Sequence, residues 1–254
     1  MTAVVLPRPQ LARRAAAEFV GTALLVAVVV GSGIAAQTLS ADPGLRLLEN
    51  ALATAGGLAV LILVLGPVSG AHFNPVVSLA DFWLGRSSGS GLTGGQLGVY
   101  LPAQVVGGVC GAILANALYA HPLVSWSQHR RSGGNLLLSE VLATACLVVL
   151  IFALVRGGRF TVVPWAVGAY IGAAYWWTSS TSFANPAVTI ARAFSNTFAG
   201  IAPSSVLGFV GAQIVGLAVG VGGVLAFFPG AGLAADDVVV PHPDATPVFS
   251  GEQS

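Results

Sequence analysis

NPVVSLADFWL, from Asn74 to Leu84, is apolar, opens with Asn-Pro and is too short to cross a bilayer. At 1.5 Å per residue, a helix of that length reaches only about 15 Å, half of the hydrocarbon core. Asn is a favoured N-cap, and Pro suits the first helical position, where its missing N–H would have had no partner. The stretch therefore reads as the start of a half-helix. A second copy, NPAVTIARAF at Asn185–Phe194, begins in the same way 111 residues later. Irregular backbone at membrane depth is tolerated only where protein or a water-filled cavity surrounds it, so both helix starts should line a pathway.

Composition agrees with a membrane setting. Of 254 residues, 55% are hydrophobic and 7% charged, against roughly a quarter charged in a soluble domain. A transmembrane helix takes about 20 mostly apolar residues, and six runs qualify: 15–37, 47–66, 96–118, 136–155, 161–178 and 204–228. The fold class expected is all-α: six transmembrane helices plus two re-entrant half-helices. The first run is too long for the core of a signal peptide and reads as a retained helix.

Around the Asn-Pro pairs the chain repeats. Ala17-Glu18 opens the first span and Ser139-Glu140 the fourth; Ala103-Gln104 lies in the third and Ala212-Gln213 in the sixth. With three spans per half, about 15–118 and 136–228, the halves must have opposite orientations, and interrupted segments in inverted halves point to a midplane site. Residues 1–228 are read as one channel domain. The stretch 229–254, with Asp236, Asp237, Asp244 and four prolines, reads as a disordered tail.

All ten basic residues are Arg, and the net charge is +1, so charge suggests no nucleic-acid partner. With both termini in the cytoplasm, Arg8, Arg13, Arg14, Arg86, Arg156 and Arg159 lie inside, and Arg46, Arg130, Arg131 and Arg192 outside, in the sense of the positive-inside rule. Cys110 and Cys146 sit in apolar runs and read as small core residues; no metal site or disulfide framework is indicated. The Gly-rich run Gly85–Gly98 has no preceding strand and reads as loop, not cofactor site. Gly107–Gly111 and Gly216–Gly220 are small-xxx-small pairs that mark close helix crossings, and Trp176 and Trp177 read as an aromatic belt.

SGAHFNPVVSLA (Ser69–Ala80), FANPAVTIARAF (Phe183–Phe194) and AEFVGT (Ala17–Thr22) resemble the aquaporin, or major intrinsic protein, family. The resemblance spans essentially residues 15–228. It implies half-helices meeting at the bilayer centre, one pore per subunit and a homotetramer in lipid, passing water and small neutral solutes without catalysis or cofactor. It also implies a pore centre at Asn74, Pro75, Val76, Asn185, Pro186 and Ala187. The first box departs from the family pattern in having Val76 where Ala is usual. The sharper departure is Val188, where water channels and glycerol facilitators carry Arg. Ungapped offsets from the two Asn residues give Thr54, Ala173 and Ser182 as the other filter positions. A filter of Thr, Ala, Ser and Val should be wide and weakly polar, suited to glycerol-like polyols, urea or undissociated metalloid hydroxides. This variant pattern resembles bacterial aquaporins linked to arsenic handling, and a bacterial inner membrane is the setting it implies.

Helix N-termini facing one another present partial positive charge and unpaired N–H groups, a barrier to cations. Asn74 and Asn185 can donate side-chain N–H to a passing oxygen while their own oxygens cap the helices. Glu18 and Glu140, ionisable groups inside spans, read either as a proton-coupling pair in a secondary transporter or as acceptors for the irregular backbone before each half-helix. The family resemblance favours the second. His72 is expected on that backbone, either packed or facing the pore. Glu49 reads as interfacial, and Arg192, on the same helix face as Val188, reads foremost as an anchor at the outer interface, with partial substitution for the missing filter cation from the outer mouth as the other reading.

Overall fold

The computed structural model describes residues 9–86 and 89–229, so the expected tail beyond 229 lies outside the described residues. Among the described residues eight α-helices follow one another: α1 Leu11–Leu39, α2 Pro43–Ser69, α3 Pro75–Gly85, α4 Gly94–Leu118, α5 Gly134–Arg156, α6 Val163–Trp177, α7 Pro186–Ala191 and α8 Pro203–Phe227. A 3-10 turn, Arg192–Phe194, extends α7. Among the described residues, α1, α2, α4, α5 and α8 are long and apolar enough to cross a membrane.

The fifth expected span, 161–178, forms a helix shorter than its apolar run. α6 has 15 residues, or about 22 Å of helix. Its apolar run is consumed at one end by turns, Arg159 N–H to Leu154 O and Val162 N–H to Arg159 O, and at the other by extended backbone from Thr178. Both half-helices form. α3 has 11 residues and α7 six, each starting at the Pro of an Asn-Pro pair. The Gly-rich run is only partly loop, because α4 begins at Gly94. Thr93 and Gln96 form a reciprocal capping box there, a pattern visible in the sequence as Thr-x-x-Gln.

Lipid tails are as apolar as Leu, so helices in a membrane associate through close packing more than through water exclusion. Glycine supplies the closeness. A Cβ on Gly107 would lie 2.3 Å from Phe19 O, and one on Gly111 2.0 Å from Ala23 O, where α4 crosses α1. Gly216 and Gly220 do the same for α8 on α5, with Val141 O at 2.5 Å and Ala145 O at 2.9 Å. Gly168 brings α6 onto α2, 2.5 Å from Ala55 O.

Cys110 and Cys146 are not core residues, because both side chains are exposed on the outer helix faces. The expectation failed because a helix in lipid is apolar all round, so hydrophobicity does not separate its inner from its outer face. Trp176 and Trp177 are half exposed at the end of α6, and Glu49 is partly buried near the start of α2.

Candidate permeation pathway

Each half-helix is approached by a short irregular strand held by a buried carboxylate. Glu18 accepts at Oε1 from Ser69 Oγ (2.7 Å) and His72 N–H (3.0 Å), and at Oε2 from Phe73 N–H (2.7 Å) and Gln104 Nε2 (2.8 Å). Glu140 accepts from Phe183 N–H and Ala184 N–H, both at 2.9 Å, and from Gln213 Nε2 at 2.7 Å. The two glutamines singled out as repeat markers therefore serve the two glutamates. Each also donates to a half-helix hydroxyl, Gln104 to Ser78 Oγ and Gln213 to Thr189 Oγ1. These bonds hold a costly backbone, for Ala71, Phe73, Thr181, Ser182 and Ala184 all have φ between 46° and 64°. That left-handed region is uncommon for residues with a Cβ and persists only where the surroundings over-determine it.

The carboxylates also set which way the carbonyls face. A trans peptide points its C=O opposite to the next residue's N–H. With the N–H groups of His72, Phe73, Phe183 and Ala184 turned toward Glu18 and Glu140, the carbonyls of Ala71, His72, Ser182 and Phe183 turn away from them. All four residues line the central cavity. Among the described residues no donor meets those carbonyls, so they form two short rows of acceptors along the cavity.

Asn74 and Asn185 cross-brace the half-helices. The Oδ1 of Asn74 caps α3 through Val76 N–H at 3.0 Å, and that of Asn185 caps α7 through Ala187 N–H at 3.0 Å and Val188 N–H at 3.2 Å. Asn74 Nδ2 donates to Ala184 O and Asn185 Nδ2 to Phe73 O, each at 2.8 Å. An amide nitrogen carries two donors. One N–H is spent on the opposite approach strand, leaving the other for the cavity that both side chains line.

That cavity, about 460 Å³, runs from Gly66, Pro67 and Phe160 at one end, past Asn74 and Asn185, to Tyr175 and Arg192 at the other. Of the expected pore-centre residues, only the two Asn reach its wall. Pro75, Val76, Pro186 and Ala187 are buried in helix packing, and Val77 takes the cavity side. His72 lines the cavity with its ring against Tyr100 and Nδ1 3.0 Å from Ser78 Oγ, which makes it packed and pore-facing at once. Thr54, Ser182 and Val188 lie on the wall as well.

Ala173 does not. It is exposed on the outer face of α6, whereas Ile171 and Tyr175 line the cavity. A residue two positions from an inward-facing neighbour sits about 200° around the helix, so an offset that is wrong by two places across a loop turns the wrong face inward. The residue found in its place is polar and large. Tyr175 Oη lies 3.2 Å from Thr54 Oγ1.

Arg192 is also not an interfacial anchor. It is 2% exposed, its Nε donates to Ala199 O, and its guanidinium carbon lies 3.6 Å from the Phe183 ring centroid. The sequence hid this because α7 is so short that the chain turns back at 195–202 and covers it, with Ile201 N–H bonded to Arg192 O. Arg14, counted as a flanking charge, is likewise buried, donating to Tyr100 Oη at 2.9 Å while Tyr100 donates to Ser69 O.

Two broken helices, cross-braced around a polar-centred cavity inside a ring of spanning helices, define an integral multi-pass membrane protein of the channel class. The sequence profile of the major intrinsic protein family matches residues 6–178. Aquaglyceroporin AqpS of Rhizobium meliloti is 50% identical over 206 residues, covering 81% of this chain and 86% of that protein. The glycerol uptake facilitator protein of Pseudomonas aeruginosa is 31% identical over 257 residues, covering 85% and 89%. The X-ray structure of the aquaglyceroporin from Plasmodium falciparum superposes with a TM-score of 0.68 at 19% identity, covering 86% of this chain and 97% of that one. That likeness speaks for the fold alone. The chain belongs to the major intrinsic protein family.

Proposed function

We propose that this protein is a passive channel for water and small uncharged polyols such as glycerol. The observation that carries the reading is the cavity itself, with a spare Asn N–H from each half at its middle and unpaired carbonyls leading to it. A neutral solute exchanges water hydrogen bonds for these. An ion would lose hydration worth several kcal/mol without adequate replacement. Urea and undissociated metalloid hydroxides such as arsenite present the same paired donors and acceptors and belong to the proposed solute range.

Proton-coupled transport through Glu18 and Glu140 is disfavoured by their surroundings. Both carboxylates have 0% exposure, neither lines the cavity, and every carboxylate oxygen already accepts at least one hydrogen bond. Among the described residues no group of His, Cys, Asp and Glu is arranged to hold a metal. We assign the whole of 1–228 to one channel domain, place both termini in the cytoplasm of a bacterium with the chain in its inner membrane, and read the oligomer as a homotetramer. Support comes from the arginine distribution and the family resemblance.

Stopped-flow light scattering on proteoliposomes tests the reading, with water, glycerol, urea and arsenite run in parallel. A passive channel equilibrates its solutes without accumulation and ignores a protonophore. Uptake against a gradient that the protonophore abolishes would replace this reading with the carrier.

A further inference from the structure

We infer that Arg192 is the charge-selecting residue of this pore, so that ion rejection and size selection are carried by two different residues, Arg192 and Tyr175. The inference rests on the channel reading and goes further by giving the filter two separable parts. Arg192 is the one permanently charged side chain among the described residues lining the cavity. Its Nε is tied to Ala199 O and its plane to the Phe183 ring, so the head group is fixed. Among the described residues nothing accepts from Nη1 or Nη2. In a residue that is 2% exposed and lines the cavity, those N–H groups have only the cavity's contents to bond.

Position gives the division of labour. Val188 and Arg192 are one helical turn apart, about 5 Å along the axis. The apolar residue faces the inner part of the outer wall and the cation the part nearer the mouth. No carboxylate lies on the wall beside it; Glu140, buried off the wall and spent on the backbone before α7, attracts it from a distance, while Arg131, 5.2 Å from the same Phe183 ring and held by Gly200 O, adds a second positive charge. A fixed cation in a partly desolvated pore repels cations strongly. The planar Nη pair can donate side by side to two oxygens of one solute. Bore, by contrast, is assigned to the stretch of wall that Thr54 and Tyr175 form together.

The test is a double dissociation in proteoliposomes, reading potassium and proton leak by dye alongside water and polyol flux. Tyr175→Ala should shift polyol flux and leave leak in place, and leak rising as in the Arg192 variants would overturn the division. Arg192→Gln should raise cation leak relative to water flux by at least about tenfold, the order expected for removing a unit charge from such a site. It should leave the ranking of polyols by size in place. Arg192→Met, whose unbranched stem can still pack on Phe183, gives the same readout if Gln disturbs folding. Arg192→Lys keeps the charge and should keep the rejection. Leak in the Lys variant equal to that in Gln would mean the fork's tether, not its charge, matters, and would overturn the inference, as would unchanged leak in Gln and Met. A wild-type protein that passes no solute would instead overturn the channel reading.

Discussion

Thr54 and Tyr175 face each other from α2 and α6 with their hydroxyl oxygens 3.2 Å apart, both side chains 3% exposed. The pair closes one side of the outer cavity with a hydrogen bond instead of an apolar contact. Tyr175→Ala removes the ring and is expected to raise the flux of three- to five-carbon polyols several-fold while changing water flux less. Swelling assays across a polyol series check this, and equal gains for every solute would place the size limit elsewhere.

Asn185 holds both half-helices through one amide. Asn185→Asp keeps the capping oxygen but sets a carboxylate oxygen against Phe73 O, where Nδ2 donated. Losing a buried donor costs about 1–3 kcal/mol, so the melting temperature should fall. Solute flux should fall too, or cations be admitted, and unchanged flux and conductance would remove Asn185 from the pathway.

Val188 is a small residue on the wall of the cavity that Thr54 and Ser182 also line. Val188→Arg should narrow the passage and depress glycerol-sized solutes more than water. Stopped-flow ratios report this directly; proportional loss of both would argue against Val188 as a filter residue.

Gly111 and Gly56 should respond oppositely to the same substitution. A Cβ at Gly111 would sit 2.0 Å from Ala23 O, whereas nothing lies within 4 Å of one at Gly56. Gly111→Ala is therefore expected to force α4 off α1 at a cost of about 1–3 kcal/mol. Gly56→Ala should be neutral or stabilising by up to about 1 kcal/mol, because Ala favours helix. Thermal unfolding of the detergent-solubilised protein separates the two.

The helix starts were legible because Asn-Pro is a local signal, satisfied by the first turn it opens. Glu18 and Glu140 stood out because a carboxylate in an apolar run has to be met by donors, and the structure supplies those donors from the approach strands. What the sequence could not carry was facing. Ala173 was assigned to a wall that Tyr175 occupies, because an offset counted across a loop does not fix helix rotation. Cys110 and Cys146 looked internal because lipid and protein interior select the same side chains. Arg192 looked external because its burial depends on a turn-back of the chain that no short-range pattern announces.

The outward placement of both cysteines has a practical consequence. Neither thiol touches the passage, so mercurials that seize thiolates find nothing inside the bore to plug, and flux should persist in their presence. The native protein is thus a ready background for scanning accessibility: one new cysteine at Val188 or Ser182 becomes the sole site where a thiol reagent can stop transport, and its rate of block measures how open that ring stands to each side of the membrane.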